Sequence, residues 1–131
     1  MLAERSRPAR RLARSSLGIC LLALLLGAQP VAAQGVKTSP GEILSNPDRF
    51  DHQTVTVVGT VMNLQERVSK AGNAYYTLDL SDGGQAIRVF SFGKASCRTG
   101  GAAVEGVFTK VKQQGRYTFY NEIEATRVTC H

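Results

Sequence analysis

Between Thr54 and Phe92 the chain alternates apolar and polar side chains three times in succession, with the period of two that marks half-buried β-strands. In the first run Val55, Val57, Gly59 and Val61 share one face, and Thr54, Thr56, Val58 and Thr60 the other. Polar residues from Asn63 to Arg67 then lead into Ser69-Lys70-Ala71-Gly72-Asn73, a cluster of turn formers. The second run, Tyr75 to Leu80, sets Tyr76, Leu78 and Leu80 against Tyr75, Thr77 and Asp79 and stops at Ser81-Asp82-Gly83-Gly84. In the third, Ile87 and Val89 alternate with Arg88 and Phe90. The pattern predicts three antiparallel strands, each with one apolar face for a core and one mixed face.

The rhythm of the first strand returns in Ala102, Val104, Gly106 and Phe108, again with a glycine third. Glycine inside a strand permits a bend or bulge, and two matching bends are expected if the first and fourth strands pair along one side of a small barrel. The fourth strand is predicted from Ala102 to Lys112, a turn at Lys112-Gln113-Gln114-Gly115, and a fifth strand from Arg116 to Cys130. In the fifth, Tyr117 and Phe119 face one way and Thr118 and Tyr120 the other, before Ile123, Ala125 and Val128 turn to the core. The glycine-rich stretch 93–101 between the third and fourth strands has room for a loop or a single turn. Upstream, after a short polar lead, Ser39-Pro40-Gly41-Glu42 has the capping-box spacing with proline at the first helical position. A short helix is predicted, ending by Asn46-Pro47, with one more turn through Phe50. Ile43, Leu44 and Phe50 then plug one end of the barrel; the alternative is a partner-docking helix.

A valine-x-valine-x-glycine strand, a basic loop, an aromatic strand ending in Leu80-Ser81-Asp82-Gly83, and Ile87-Arg88-Val89-Phe90 together resemble OB-fold domains of the nucleic-acid-binding, tRNA-anticodon type. The likeness runs from about Thr54 to Val128. It implies an all-β protein: a five-stranded OB-fold Greek-key barrel with a short N-terminal helix. Barrels of this kind also bind sugars and proteins, so the resemblance speaks to the fold before the ligand.

Composition changes the picture at the N-terminus. The 131 residues carry a formal net charge of +6, which by itself suggests a polyanionic partner. Five arginines and one glutamate lie in residues 1–33, however, which leaves 11 basic and 9 acidic side chains beyond them, a net of +2. Those arginines precede the apolar run Leu17 to Gly27 and the small residues Val31-Ala32-Ala33, the order of a secretory signal cleaved after Ala33. The apolar run is short of the roughly twenty residues of a membrane span. Cys20 sits within that run, not after it, and so does not read as a lipoprotein site. The expected organisation is a signal peptide at 1–33, a lead and short helix at 34–53 and a barrel at 54–131. The exported product is placed in the periplasm or outside the cell, without membrane association after cleavage.

Without Cys20, the exported chain has two cysteines, Cys97 and Cys130. An even number in an oxidising compartment favours a disulfide. With the hairpin turn centred between Gln113 and Gln114, opposed residues have numbers that sum to 227, which sets Cys97 against Cys130 in an unbulged ladder. The competing reading is a reactive or metal-binding pair, for which no Cys-x-x-Cys is present.

Catalytic signatures are sparse. His52 and His131 are the two histidines, and neither has further ligands at zinc spacing, so no metal or cofactor is expected. Neither a nucleophile elbow nor a glycine-rich phosphate loop occurs. Secreted nucleases built on OB barrels use clustered carboxylates, and Asp79, Asp82, Glu122 and Glu124 are available; Asp82 reads more simply as a turn residue, and Glu122 and Glu124 as one solvated face. A haem-handling barrel needs an accessible histidine among aromatics, and His131 lies apart from Tyr120 in sequence.

OB-folds present ligands on the face of the second and third strands, between the first and fourth loops. The resemblance therefore places Tyr75, Thr77, Arg88 and Phe90 on the binding face. Arg67 and Lys70 fall in one bordering loop, and Lys110, Lys112 and Arg116 flank the other. Aromatics stack on bases and cations meet phosphates, which suits single-stranded nucleic acid or an oligonucleotide-like anion bound without catalysis. The same face serves a protein, peptide or glycan partner in the alternative reading. The bland account also stands: aromatics are good strand formers, and lysines at turns guard solubility.

Overall fold

A computed structural model describes residues 35–131. The predicted signal segment lies outside the described residues. The elements follow in order as β1 (Val36–Thr38), α1 (Pro40–Ser45), α2 (Pro47–Phe50), β2 (Thr54–Val68), β3 (Ala74–Ser81), β4 (Ala86–Phe92), β5 (Gly101–Gln114) and β6 (Tyr117–Cys130). Strands β2, β3, β4, β6 and β5 are neighbours in that order, and β5 pairs back onto β2, so the sheet closes. All barrel pairings are antiparallel except β4 with β6. The chain is an all-β, five-stranded OB-fold barrel with a short helical segment before it. The added β1 lies parallel along β2. It falls in the polar lead, where three residues are too few to show a period.

Alternation dictates the interior. Val55, Val57, Leu78, Leu80, Ile87, Val89, Val104 and Phe108 are buried, as the period of two requires. Ile43 and Phe50 join the same core, with Leu44 half-buried against it, so the helical segment contributes its apolar side to the barrel. Ser39 caps α1 by accepting from Glu42 N at 3.2 Å, and α1 ends before Pro47. The β3–β4 turn holds α1 from the other side. Asp82 Oδ2 accepts from Gly41 N at 3.1 Å, while Oδ1 accepts from Gly84 N at 2.9 Å and Gln85 N at 2.8 Å. The pairing of β2 with β5 carries the two glycine-bearing strands together, as expected. At Gly106 a β-carbon would stand 2.2 Å from Glu124 O, so the close approach of β6, which bulges at Thr126 opposite Glu105 and Gly106, requires a residue without a side chain.

Three expectations give way. First, β2 does not end at Val61: it continues through polar residues to Val68, paired with β3 beyond the barrel wall. Second, the β5–β6 turn is not Lys112–Gly115. Gln114 pairs with Tyr117, and Gly115 takes the left-handed φ of 62° that closes so tight a hairpin. Third, Cys130 therefore lies opposite Ala102, not Cys97. The disulfide forms nonetheless, with the Cα atoms 5.4 Å apart, because Cys97 sits in the loop after β4 and reaches the end of β6 from there. That loop, residues 93–100, holds no helix.

Candidate binding groove

Pairing register builds the site in rows. On the outer face of the barrel Arg67, Tyr75 and Phe92 stand side by side across β2, β3 and β4. The next row is Gln65, Thr77, Phe90 and Glu124, and the one after it Asp79, Arg88 and Glu122, each extending onto β6. Two aromatic rows thus abut a charged one. The long β2–β3 and β5–β6 hairpins flank this floor and enclose a groove of about 670 Å³, within the usual size of small-ligand clefts.

Two asparagines aim the walls. Asn63 in β2 and Asn121 in β6 both have φ 53°, a left-handed conformation that asparagine tolerates better than most residues. Before Asn63 the odd-numbered Val61 points inward; after it, the half-buried Leu64 turns to the core and Gln65 to the groove. Across Asn121 the same change of parity lets Phe119 and Glu122 line one groove. Each asparagine re-aims every side chain beyond it.

Of the residues expected at the site, Arg67, Lys70, Tyr75, Thr77, Arg88 and Phe90 line the groove. Thr77 lies on the outward face but is covered, at 7% exposure. Lys112 reaches in from β5, its Nζ 4.9 Å from the centre of the Phe90 ring. Lys112 meets the floor only through that ring and its carboxylate partners; it does not line the groove, and neither do Lys110 and Arg116. Lys110 turns instead to the helical segment: its Nζ donates to Asp48 at 2.7 Å and its backbone N to Asp51 at 2.8 Å. The Asp48 hydrogen bond and charge hold the Lys110 ammonium above its usual pKa. Arg116 is at the exposed tip of the β5–β6 hairpin.

Pattern reading missed Phe92, Tyr117, Phe119 and Glu122 as groove residues. The alternation that marked Phe90 extends two residues to Phe92 and was the available signal. The three residues on β6 are hidden from it by the reversal at Asn121. Glu122 is also the clearest correction. Expected on a solvated face, it is 3% exposed and accepts from Arg88 Nε at 2.9 Å and Lys112 Nζ at 3.3 Å. Glu124 adds a further carboxylate 3.6 Å from Lys112 Nζ. These two cations and two anions cancel, and Asp79 beside Arg88 adds one negative charge, so the middle of the floor has no positive excess while Arg67 and Lys70 stand at its rim.

The aromatics form a connected surface. Tyr75 and Phe90 are 5.4 Å apart between ring centres, and Phe92 meets Phe90 edge-on at 5.0 Å, within the range of favourable ring pairs. The Arg88 guanidinium lies 5.5 Å above Phe119. Because Lys112 covers Phe90, the open rings are Phe92 and Tyr117, at 66% and 65% exposure.

The carboxylates named for nuclease chemistry are each engaged within the protein, Glu122 and Glu124 sharing Lys112. Asp79 accepts from Asn63 Nδ2 at 2.9 Å, Asp82 serves its turn, and Glu122 its ion pairs. Among the described residues no three histidine, cysteine, aspartate or glutamate side chains gather as metal ligands.

No family model matches this sequence, and no curated protein does. Among solved structures, the fold is similar to a crystal structure assigned as an aspartyl-tRNA synthetase from Leishmania major Friedlin. The TM-score is 0.54 and the identity 15%, over 87% of this chain and 26% of that one. The chain thus matches about a quarter of that enzyme, and the likeness is one of fold.

Proposed function

We propose that the protein is an exported OB-fold module that binds single-stranded nucleic acid, or an oligonucleotide-like anion, along this groove without catalysis. Its leader is removed near Ala33, and the product works in the periplasm or outside the cell. The observation that carries the reading is an aromatic floor with Arg67 and Lys70 at its rim. Sequence-tolerant single-strand binders combine those same two elements, stacking surfaces and a cationic edge. The similarity in fold to part of a protein named for charging a tRNA supports the same direction.

Fluorescence anisotropy with labelled single strands at two salt concentrations tests it. Binding through three or four phosphates lowers the logarithm of affinity by about 2 to 3 per tenfold rise in salt. The probe stays intact when calcium is added. An absence of binding at low salt overturns the reading.

A second reading, a periplasmic module for a protein, peptide or glycan, is favoured by one observation. Glu122 and Glu124 neutralise Arg88 and Lys112, which leaves the centre of the floor aromatic and without positive excess. Binding of such a partner would change little with salt.

A further inference from the structure

We infer that Arg88 reads the edge of a purine, with guanine its preferred base, and that Glu122 is the positioning residue that aims it. This rests on the nucleic-acid reading of the groove.

An arginine meant for phosphate is most effective as a free charge. Arg88 is otherwise arranged: its Nε is committed to a carboxylate that is itself 3% exposed, and its Cζ lies 5.5 Å from the centre of the Phe119 ring. With Lys112, Glu124 and the row neighbour Asp79 included, the local formal charge is −1, so long-range attraction for phosphate is cancelled. What survives is direction. The side chain is 44% exposed and lines the groove, and among the described residues no protein group accepts from its terminal Nη atoms.

Two parallel N–H groups of fixed orientation match a pair of acceptors in one plane, which guanine offers at O6 and N7. Thymine offers one carbonyl beside a methyl on the corresponding edge, and cytosine an amino donor. The open Tyr117 ring stands two residues from Phe119 on the same face of β6, about 7 Å along the strand, and the Arg88 guanidinium lies 5.5 Å from the Phe119 ring centre. A base held against Tyr117 therefore presents its edge to the guanidinium. Holding Arg88 in advance also removes the cost of ordering a long side chain when the base arrives.

The test compares a thymidine decamer with decamers carrying one guanine, or one 7-deazaguanine, at a central position, by anisotropy on the full exported chain. The guanine strand should bind about tenfold tighter than the thymidine strand, and the deaza strand should lose most of that gain because N7 is absent. Arg88→Lys keeps the charge and a partner for Glu122 but lacks the fork; it should bind both strands with the affinity of the thymidine strand. Glu122→Gln should lower the guanine preference and steepen the salt dependence, since two cations are then freed for phosphate. Arg88→Lys retaining the preference, or weakening both strands equally, overturns the proposal and leaves the groove reading intact. Failure of the wild-type chain to bind either strand at low salt removes the groove reading, and the proposal with it.

Discussion

Arg88 and Glu122 are register partners across the parallel β4–β6 pair, and their side chains meet at 2.9 Å with the carboxylate almost wholly out of solvent. Lys112 is the second partner of that carboxylate, so Arg88→Ala and Lys112→Ala each leave Glu122 one cation. The double variant leaves none. It should lose about 3 to 5 kcal/mol, more than the two single losses together, because a buried charge then stands uncompensated. Urea denaturation of the four proteins measures this. Any loss of ligand binding in the double variant must be read beside its stability.

The Cys97–Cys130 bond closes a segment of 33 residues. Restricting the unfolded chain by a loop of that length is worth about 4 kcal/mol, so Cys97→Ala/Cys130→Ala should lower unfolding free energy by roughly that amount. Denaturant unfolding with and without reductant checks it. Reductant should reproduce the effect in the wild-type chain and leave the variant unchanged.

Asp82 accepts backbone N–H groups from Gln85, Gly84 and Gly41, and in that order they hold its carboxyl below the ordinary carboxylate range. A carboxyl with a depressed folded pKa contributes fully above its unfolded value of about 3.9, and that contribution disappears as pH falls through the lower folded value. The gap in thermal midpoint between wild type and Asp82→Ala should be constant from neutral pH to about pH 5 and should narrow below about pH 4. A gap that persists unchanged at pH 2 would show that the turn geometry, and not the charge, matters.

Phe92→Ala and Lys110→Ala should separate cleanly. Phe92 is an open ring on the groove floor, and its removal should weaken oligonucleotide binding by about 1 to 3 kcal/mol, with little change in stability because the ring is already solvated. Lys110 is paired with Asp48 away from the groove, so its removal should leave affinity within about twofold at fixed salt. Anisotropy and thermal melting on both variants check this.

How far the sequence reveals this molecule depends on whether a position obeys the strand period. Val55, Leu78, Ile87 and Val104 do, and their burial follows from alternation, as the pairing of β2 with β5 does from the repeated glycine pattern; the order of the barrel strands came only from the likeness to OB-folds. The Ser39 cap was legible for a similar reason, a local rule with local partners. Glu122 was not. It is polar and lies beyond Asn121, and only pairing with β4 brings Arg88 to neutralise it. The extension of β2 to Val68 was hidden because a polar run pairs perfectly well when β3 supplies the partner. The Cys97–Cys130 bond shows the opposite failure: the bond was expected, but on a hairpin register that Gly115 displaces.

The two left-handed asparagines divide the molecule into parts that can change independently. Everything before Asn63 in β2, and everything after Asn121 in β6, belongs to the closed barrel; the segments on the far side form the walls of the groove. Drawing position 63 into the ladder as an ordinary strand residue would restore unbroken alternation, send Gln65 toward the interior side and bring Leu64 out to water, while the ladder from Thr54 to Thr60 kept its partners on β5. A lineage that lost the left-handed turn at that position would keep its scaffold and lose its groove wall in one step, so the conformation open to two single positions, more than the composition of the hairpins, is where divergence of ligand choice would be written.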